Sequence, residues 1–443
     1  MLAQVDTDFQ EQITNTFEDL SNGVFSSEPE SLQNWRKEAF SAFMDLGFPT
    51  IKNEDWKYTN VKPYLKSNFT IIPNLQEIQN GIPAKTENFF GKELSAYTVY
   101  VVNGKINFEK SNVPDTNSVR IQEISESYAT DGFLSRLKCK RDYSINPFLA
   151  LNNALFTQGI YIEVEKNFQL DKPIHLVHLS DLDQEYFQLA KNVVIARQGS
   201  HFELIESVEN TGHNNFFRNA STEILVEPNA TFNHYKLQKG SENIRMVEHT
   251  EVEQQADSQY NNYTFTFPGY QFVRNNLNLA LTGSNIESHM YGLYLTGGKQ
   301  LVDNHTLVDH QQPHCESNQL YKGIMMDKSR AVFNGKVYVH PIAQITNAFQ
   351  QNNNILFSDN ASVYSKPQLE IFADDVKCSH GSTIGQLDPE ALFYLRARGI
   401  SESEGRSLLV NAFAFDVAEK IENPEIRELL ENEISKTMTG VEY

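Results

Sequence analysis

Gly199-Ser200-His201-Phe202 is the first of four segments that predict how this chain folds. The other three are Asn229-Ala230-Thr231-Phe232, Ser329-Arg330-Ala331-Val332-Phe333 and Asn360-Ala361-Ser362-Val363-Tyr364. In each of them a small residue at a break leads into an apolar run. The first two segments lie 30 residues apart and the last two 31. A fixed period of this kind is typical of a solenoid, in which each rung turns sharply and stacks on the one before it.

The residues around these segments, from about 145 to 385, favour short β-strands. Runs rich in Val, Ile, Phe, Tyr and Thr, such as 160–164 and 222–226, alternate with tight polar breaks and show almost no helical periodicity. Several strands per rung with polar corners predict a mainly β fold, a parallel β-helix with internal ladders of Asn and aromatic side chains. A large β-sandwich with a fortuitous spacing is the alternative.

The N-terminal flank has a helical pattern followed by a mixed one. Within residues 1–65, apolar side chains recur at spacings of three and four until Gly47, and they are Leu32, Trp35, Ala39, Phe43 and Leu46. Between 66 and 140 the β-like run 97–102 is closed by Asn103-Gly104, a turn dipeptide. We therefore predict an N-terminal helical and mixed region over residues 1–140, followed by the β-helix over 141–387.

The C-terminal flank, residues 388–443, is predicted to be a helical domain. Asp388-Pro389 begins one helix, Ser401 and Glu404 form a capping box for the next, and Asn423-Pro424 begins a third. The second helix is predicted to bury one stripe, consisting of Leu408, Leu409, Ala412, Phe413, Val417 and Ile421.

Composition and charge exclude several classes of protein. The chain has 443 residues and a formal net charge of −20, which disfavours binding to nucleic acid or to an anionic membrane surface. The first 20 residues lack the pattern of a signal peptide, and no apolar run is long enough to span a bilayer. Three scattered cysteines, Cys139, Cys315 and Cys378, do not make a disulfide framework, so we expect a cytoplasmic protein.

The motifs of common enzymes are absent from the sequence. Residues 291–300 come near to a phosphate loop, but Leu293 stands where its first Gly is needed and Gln300 lacks the magnesium-binding hydroxyl. We interpret this segment as a hairpin or solenoid turn. No dinucleotide fingerprint, zinc-protease motif, C-x-x-C or nucleophile elbow occurs, so neither a catalytic nor a cofactor-binding residue is predicted.

Two clusters contain side chains that could bind a metal. The first is His305, His310, His314 and Cys315, whose imidazoles and thiolate would suit iron or zinc. Strand alternation places His305 and His310 on opposite faces, because five is odd. We therefore expect most of this cluster to pack between rungs or to line an interface.

The second cluster is Asp374-Asp375-Val376-Lys377-Cys378-Ser379-His380-Gly381-Ser382. On a strand, Cys378 and His380 project from the same face and could bind iron together, and Gly381 would let another backbone approach closely. Two ligands do not complete a tetrahedral site, so a partner would have to supply the others. A buried cysteine beside a hydrogen-bonded histidine is the alternative.

Around this second cluster the sequence resembles the SufB/SufD family of iron–sulfur cluster assembly proteins. The resemblance is strong over residues 300–420, weaker over 140–300 and slight at 54–59. Segments that carry it include 372–388, 392–400, Tyr321-Lys322-Gly323 and 366–371. Cys-Ser-His-Gly at 378–381 has the form of the SufD branch, and Ile371 stands where the SufB branch is expected to carry its acceptor cysteine.

The resemblance implies a right-handed parallel β-helix flanked by helical regions. It also implies a complex in which the β-helix pairs with SufB and the C-terminal helices bind the ATPase SufC. His380 matches a histidine held to contribute where a cluster forms between subunits, and Cys378 matches its neighbour. The iron–sulfur cluster would be transient and shared with SufB, with no cofactor belonging to the isolated chain. Binding of a flavin and self-association of the isolated chain stay open.

The sequence thus predicts a non-catalytic scaffold subunit of the SUF machinery. Our hypothesis is that SufC hydrolyses ATP, that the C-terminal helices transmit the movement, and that His380 and a SufB thiolate then bind iron and sulfur together. An enzyme acting on polysaccharides is one alternative, since β-helices also host lyases and hydrolases. A structural mate that only stabilises SufB is another.

Overall fold

The computed structural model describes residues 7–66, 68–71, 94–128, 133 and 146–439. Cys139 and the domain boundary predicted after residue 140 lie outside these residues. The described helices are α1 (Thr7–Asn22), α2 (Glu30–Leu46), α3 (Pro147–Leu155), α4 (Pro389–Ala397), α5 (Glu402–Ala418) and α6 (Pro424–Thr439).

Nearly all of the strands belong to two sheets that face each other. Sheet A contains β3 (Val119–Glu123), β4 (Ile160–Val164), β6 (Tyr186–Ala196), β8 (Phe216–Val226), β10 (Ile244–Gln254), β12 (Phe272–Leu281), β14 (Leu301–His310), β16 (Arg330–Val339) and β18 (Ser362–Ile371). Sheet B contains β1 (Tyr97–Val102), β2 (Lys105–Ile106), β5 (Ile174–Ser180), β7 (His201–Asn210), β9 (Thr231–Gln238), β11 (Gln259–Thr266), β13 (Glu287–Thr296), β15 (Glu316–Met325), β17 (Thr346–Leu356) and β19 (Val376–Gly385).

The chain alternates between the two sheets and forms a parallel β-solenoid of about eight turns, which confirms the predicted fold class. Each turn contributes one strand to each sheet, so the rung has two strands rather than several. Among the described strands, antiparallel pairing is confined to β1 with β2 and β3 with β4, at the first end of the coil. The predicted ladders are present, as in the stacked rings of Phe202 and Phe232, 4.5 Å apart.

The four quoted segments all lie at turns that lead into strands. His201 pairs with Thr231, as the 30-residue spacing predicts. In the second pair the register differs by one residue from the 31-residue spacing, because Val332 pairs with Tyr364 rather than with Val363. Side-chain packing between rungs decides this register, and rung lengths vary with the turns. The near-miss phosphate loop is a solenoid turn between β13 and β14, as interpreted.

The N-terminal helices cover the outer face of sheet A. Helices α1, α2 and α3 pack there in one apolar cluster with rings of the sheet such as Phe187 and Phe217. The predicted helix ends at Gly47, whose φ of 60° suits glycine. Leu46, the last residue of the helix, was predicted on the buried stripe but is exposed.

Helices α5 and α6 cover the outer face of sheet B. The predicted N-cap at Asp388, the capping box of Ser401 and Glu404 and the start at Pro424 are all present. The predicted buried stripe is correct at Val417 and Ile421 and wrong at Leu408 and Ala412, which are exposed. Val410 and Ala414, which were not predicted, are buried against the sheet instead. Helix α5 has apolar residues on two faces, and periodicity alone does not choose between them.

Candidate metal-binding face at the open end of the solenoid

The last rung, formed by β18 and β19, has an uncovered edge. These strands lie at the ends of their sheets, and within the described residues no further strand pairs with them. Most of their side chains are exposed or half-buried, whereas every residue of β4, β5 and β6 is buried. We call this rung, with the turns 340–345 and 372–375, the open end. Its exposed apolar side chains are Ile342, Ile345, Tyr364, Ile371, Phe372 and Ile384, and Phe349 on the neighbouring strand β17 is exposed as well.

His380 lies on β19 and is exposed to solvent at the open end. In the parallel register it stands beside Gln350 of β17, and Cys378 stands beside Ala348. Gln350 and Ala348 are buried inside the coil, while Phe349 between them points outward and is exposed. Cys378 and His380 therefore lie on the inward face of β19, and this interior is open to solvent because no further rung follows.

The surroundings of Cys378 differ from those of His380. Cys378 packs against an apolar cluster that includes Val337, Ala343 and Ala348. Burial raises the pKa of its thiol. A thiol that stays protonated is a weak metal ligand, because the thiolate is the form that binds. The exposed imidazole of His380 is the more accessible ligand of the two.

Polar side chains lie on the other side of His380. Ser382 donates a hydrogen bond to the hydroxyl oxygen of Ser365 (2.8 Å), which donates to Oδ1 of Asn352 (2.8 Å). No atom lies within 4 Å of the place where a Cβ on Gly381 would be, so this stretch of strand has open space beside it. Across the described residues no group of three His, Cys, Asp or Glu side chains could hold a metal ion.

The first predicted cluster does not form one site. His305 and His310 lie on opposite faces of β14, as predicted: His310 is fully buried and its Nε2 lies 2.9 Å from the hydroxyl of Ser317. Burial lowers the pKa of His310 to about 4, so its ring is neutral. Cys315 is buried with Sγ 3.4 Å from the carbonyl of Gly283, and His314 lies in the turn with a φ of 64°. These contacts are those of packing between rungs.

The C-terminal helices also carry large apolar side chains that are exposed. Helix α4 has no buried residue, and Phe393 and Tyr394 are 73% and 56% exposed. Leu408 on α5 is also exposed. We call these three residues the helical patch. On its other side α5 is held to the solenoid by Lys322, whose Nζ donates to the carbonyl of Phe413 (3.1 Å) and to a carboxylate oxygen of Asp416 (2.5 Å).

Comparison with known protein families accounts for both halves of the molecule. Residues 179–413 match the model of the SUF system FeS cluster assembly SufBD core domain, and residues 7–176 match that of the SufBD protein N-terminal region. The chain belongs to the SufBD family. Two relatives cover almost its whole length and support the SufD assignment made from the sequence.

The iron–sulfur cluster assembly protein SufD of Escherichia coli is 28% identical over 425 residues, which are 94% of this chain and 96% of that protein. An iron–sulfur cluster assembly SufBD family protein of Synechocystis sp. is 29% identical over 410 residues, 90% of this chain and 89% of the relative. Both names describe assembly proteins, and the polysaccharide alternative gains no support. No helix in the described part of the chain is long and apolar enough to cross a membrane.

A buried polar network in this SufBD chain was missed by sequence reasoning. Oδ2 of Asp303 accepts hydrogen bonds from Thr59 (2.5 Å) and Arg274 (2.7 Å), and its Oδ1 lies 2.9 Å from Nε2 of His305. Burial opposes the ionisation of Asp303, but Arg274 and His305 outweigh it and hold its pKa at about 2. The guanidinium of Arg274 lies 3.8 Å from the ring centre of Trp56.

Residues 54–59, where the sequence slightly resembles the family, contribute to this network. They clamp the N-terminal region onto sheet A: Thr59 bonds Asp303 of β14, and Tyr58 stacks on Tyr364 of the last rung at 4.4 Å. In the sequence, the only sign of this contact was the polar and aromatic composition of residues 54–59. Spacing alone did not reveal which part of the molecule these residues contact.

The interior of the coil also contains charges that sequence reasoning missed. A carboxylate oxygen of Glu248 accepts from Lys236 (2.7 Å) and the other from Arg218 (3.0 Å), and all three side chains are buried. Burial opposes the ionisation of Glu248, but Lys236 and Arg218 hold its pKa below the ordinary value. Buried charges need partners on neighbouring rungs, which only the register brings together.

Proposed function

We propose that this chain is a non-catalytic scaffold subunit of a cytoplasmic SUF iron–sulfur assembly machine. The proposal rests on one observation above the others. The last rung leaves His380 and a set of apolar side chains facing solvent, while the first rungs are closed by the chain's own helices and strands. An exposed edge and an exposed apolar surface are features of a binding face. Within this family, SufB is the partner proposed for that face.

At the open end, His380 would bind iron as a neutral imidazole while the partner supplies thiolate. Imidazole suits iron and is neutral near physiological pH. The forming cluster is the substrate of the shared site, and Cys378 has a smaller part because its thiol lies in apolar surroundings. A buried seam between two subunits would also keep the growing cluster from water.

The helical patch would bind SufC, the ATPase proposed as second partner. Phe393, Tyr394 and Leu408 are large apolar residues of the kind that serve as anchors in interfaces. Movement of α5 would reach the solenoid through Lys322, which belongs to β15 and bonds the helix at two points. Strand β15 pairs with β17, and β17 pairs with the strand of His380.

The decisive experiment replaces His380 with Ala in a cell that depends on this system. We expect loss of cluster maturation with normal recovery of the SufB–SufC complex after co-expression and anaerobic purification. His213→Ala is the matched control and should behave as the wild type. It removes an exposed histidine from the turn between β7 and β8, several rungs away from the open end. Normal cluster yield from His380→Ala would refute the shared site and favour a structural mate of SufB.

A second experiment tests the helical patch. Leu408→Asp together with Tyr394→Asp should abolish SufC binding in a pull-down while leaving the thermal unfolding midpoint unchanged, since both side chains are exposed. Phe108→Asp is the control, because Phe108 is also an exposed aromatic residue but lies near the first end of the coil. Retained SufC binding would show that the ATPase docks elsewhere.

A further inference from the structure

We infer that Gln350 is the positioning residue that orients the imidazole of His380 for metal binding by accepting its ring N–H. The inference rests on the proposed function, since it gives a role to a residue behind the proposed ligand. It assigns to Gln350 no contact with the metal itself.

The amide of Gln350 is held in one direction by a chain of hydrogen bonds inside the coil. Its Nε2 donates to Oε1 of Gln319 (2.7 Å), and Nε2 of Gln319 donates to the hydroxyl oxygen of Thr306 (2.6 Å). Gln350 is only 2% exposed. It also packs closely on Gly335, where an added Cβ would lie 2.3 Å from Nε2 of Gln350. One N–H of this amide is therefore used and its position is fixed.

The acceptor end of the same amide has no partner. Oε1 of Gln350 is buried, and no hydrogen bond reaches it from the described residues. A buried carbonyl oxygen without a donor is unfavourable, so a donor placed beside it would be bound strongly. The amide nitrogen of Gln350 is thus bonded back to Gln319 on the preceding rung, while its carbonyl oxygen lacks a donor.

The side chain next in the stack is His380. Gln350 and His380 are register partners on β17 and β19, and adjacent strands lie about 4.8 Å apart with partner side chains on one face. A ring N–H of His380 is the donor that Oε1 lacks. When one ring nitrogen donates in this way, the other carries the lone pair and points away, toward the uncovered side where the metal would arrive.

If these hydrogen bonds ran in the opposite direction, a different nitrogen of the His380 ring would carry the proton. With all three groups reversed, Thr306 would donate to Gln319, Gln319 to Gln350, and Nε2 of Gln350 to the ring of His380. The ring nitrogen that accepted this bond would then be unable to bind metal. The hydrogen bonds of the structure run toward Thr306 and leave an acceptor for His380.

The tautomer of His380 tests the inference without a loaded cluster. The full chain, labelled with ¹⁵N-histidine and assigned with a His380→Asn variant, is measured at about pH 8, where an ordinary imidazole is neutral. We expect one tautomer to dominate, and Gln350→Leu to shift the tautomer ratio about fivefold toward that of a free histidine, which is the effect of one ordinary hydrogen bond. Gln350→Glu keeps an acceptor and should preserve the dominant tautomer.

Gln351→Leu is the matched control, because Gln351 is the next residue on the strand and points outward. Thermal unfolding of each variant shows whether the coil stays folded. A shift with Gln350→Leu that Gln350→Glu does not restore would mean a packing role and overturn the inference. An unchanged tautomer in Gln350→Leu would also overturn it, and a switch to the opposite tautomer in Gln350→Glu would establish the reversed polarity instead.

Cluster maturation in cells completes the test. Gln350→Leu should lower it, and Gln350→Glu should recover most of the loss. If His380→Ala matures clusters normally, the proposed function fails, yet the tautomer experiment still decides whether Gln350 orients the ring. If His380→Ala fails to mature clusters while Gln350→Leu changes neither tautomer nor yield, only the positioning role is lost.

Discussion

The two ends of the solenoid are built differently. At the first end β2 and β3 close the sheets in the antiparallel sense, and β4, β5 and β6 are buried along their whole length. At the last end β19 exposes most of its side chains, and its backbone edge pairs with no strand of the described chain. Uncovered edges of this kind invite pairing with another chain. A coil that covers one end and leaves the other bare is suited to joining a partner end to end.

The largest effect is expected when the same type of change is made in the covered part of the coil and at the open end. Phe217 is buried and its ring stacks 4.6 Å from that of Phe187, so Phe217→Ala should cost about 4 kcal/mol of unfolding free energy. Phe372 at the open end is exposed, and Phe372→Ala should cost less than about 1 kcal/mol. Urea unfolding measures both. Equal losses of stability would mean that the open end is packed as tightly as the region around Phe217.

A second change tests the buried network that clamps the N-terminal region to sheet A. The pKa of Asp303 in the fold, about 2, lies below its ordinary value of 3.8, so its contribution to stability is present above about pH 4. That contribution is lost as the pH falls toward 2. Asp303→Asn should cost about 2 kcal/mol at neutral pH and flatten the loss of stability in acid.

The control for this change is Asp359→Asn, which alters an exposed carboxylate near the last rung. Denaturant unfolding at a series of pH values from 2 to 7 would measure both variants. If the free energy of unfolding falls as steeply in acid for Asp303→Asn as for the wild type, other carboxylates are responsible for the pH dependence.

A third change addresses the surface of the open end. If the isolated chain self-associates, the apolar side chains of this end would be covered in the process, and Ile384→Lys should weaken association at least about tenfold, or about 1.4 kcal/mol. Sedimentation at several concentrations is the measurement. Val24→Lys, at an exposed apolar residue of the N-terminal region, should leave association unchanged. An equal effect of both variants would point to association through another surface.

The smallest effect is expected from an ion pair close to the open end. Nζ of Lys336 lies 2.8 Å from Glu370, and both side chains are partly exposed. Because solvent and salt screen such a pair, Lys336→Ala should change the unfolding free energy by no more than about 0.5 kcal/mol. A larger loss that persists in high salt would mean that the last rungs depend on this contact.

Particular residues show where sequence reasoning succeeded. The small residues at 199, 229 and 329, with the apolar runs after them, predicted turns and strands because each rung repeats one local pattern. Asn103 and Gly104 both adopt positive φ, as their turn dipeptide predicts. The odd spacing of His305 and His310 correctly separated them. Whether His380 and Cys378 bind metal stays a prediction, and the structure adds that one is exposed and the other packed in an apolar cluster.

Other residues show where sequence reasoning could not succeed. Helix α5 has apolar residues on two faces, so its sequence left open which face meets sheet B, and the predicted stripe was correct only towards its C-terminal end. Gln350 looked like any polar residue in an Asn- and Gln-rich strand. Its role depends on Gln319 and His380, which lie one rung away on either side.

By itself the sequence determined the period, the strands, the helix caps and the family, because these depend on neighbours in the chain. Only the tertiary structure decided which end of the coil is uncovered, which face of α5 is buried and which side chains meet across rungs. Those features depend on register between strands about 30 residues apart, as for Asn192 and Thr222. A shift of one residue would turn every side chain of a strand to the opposite face.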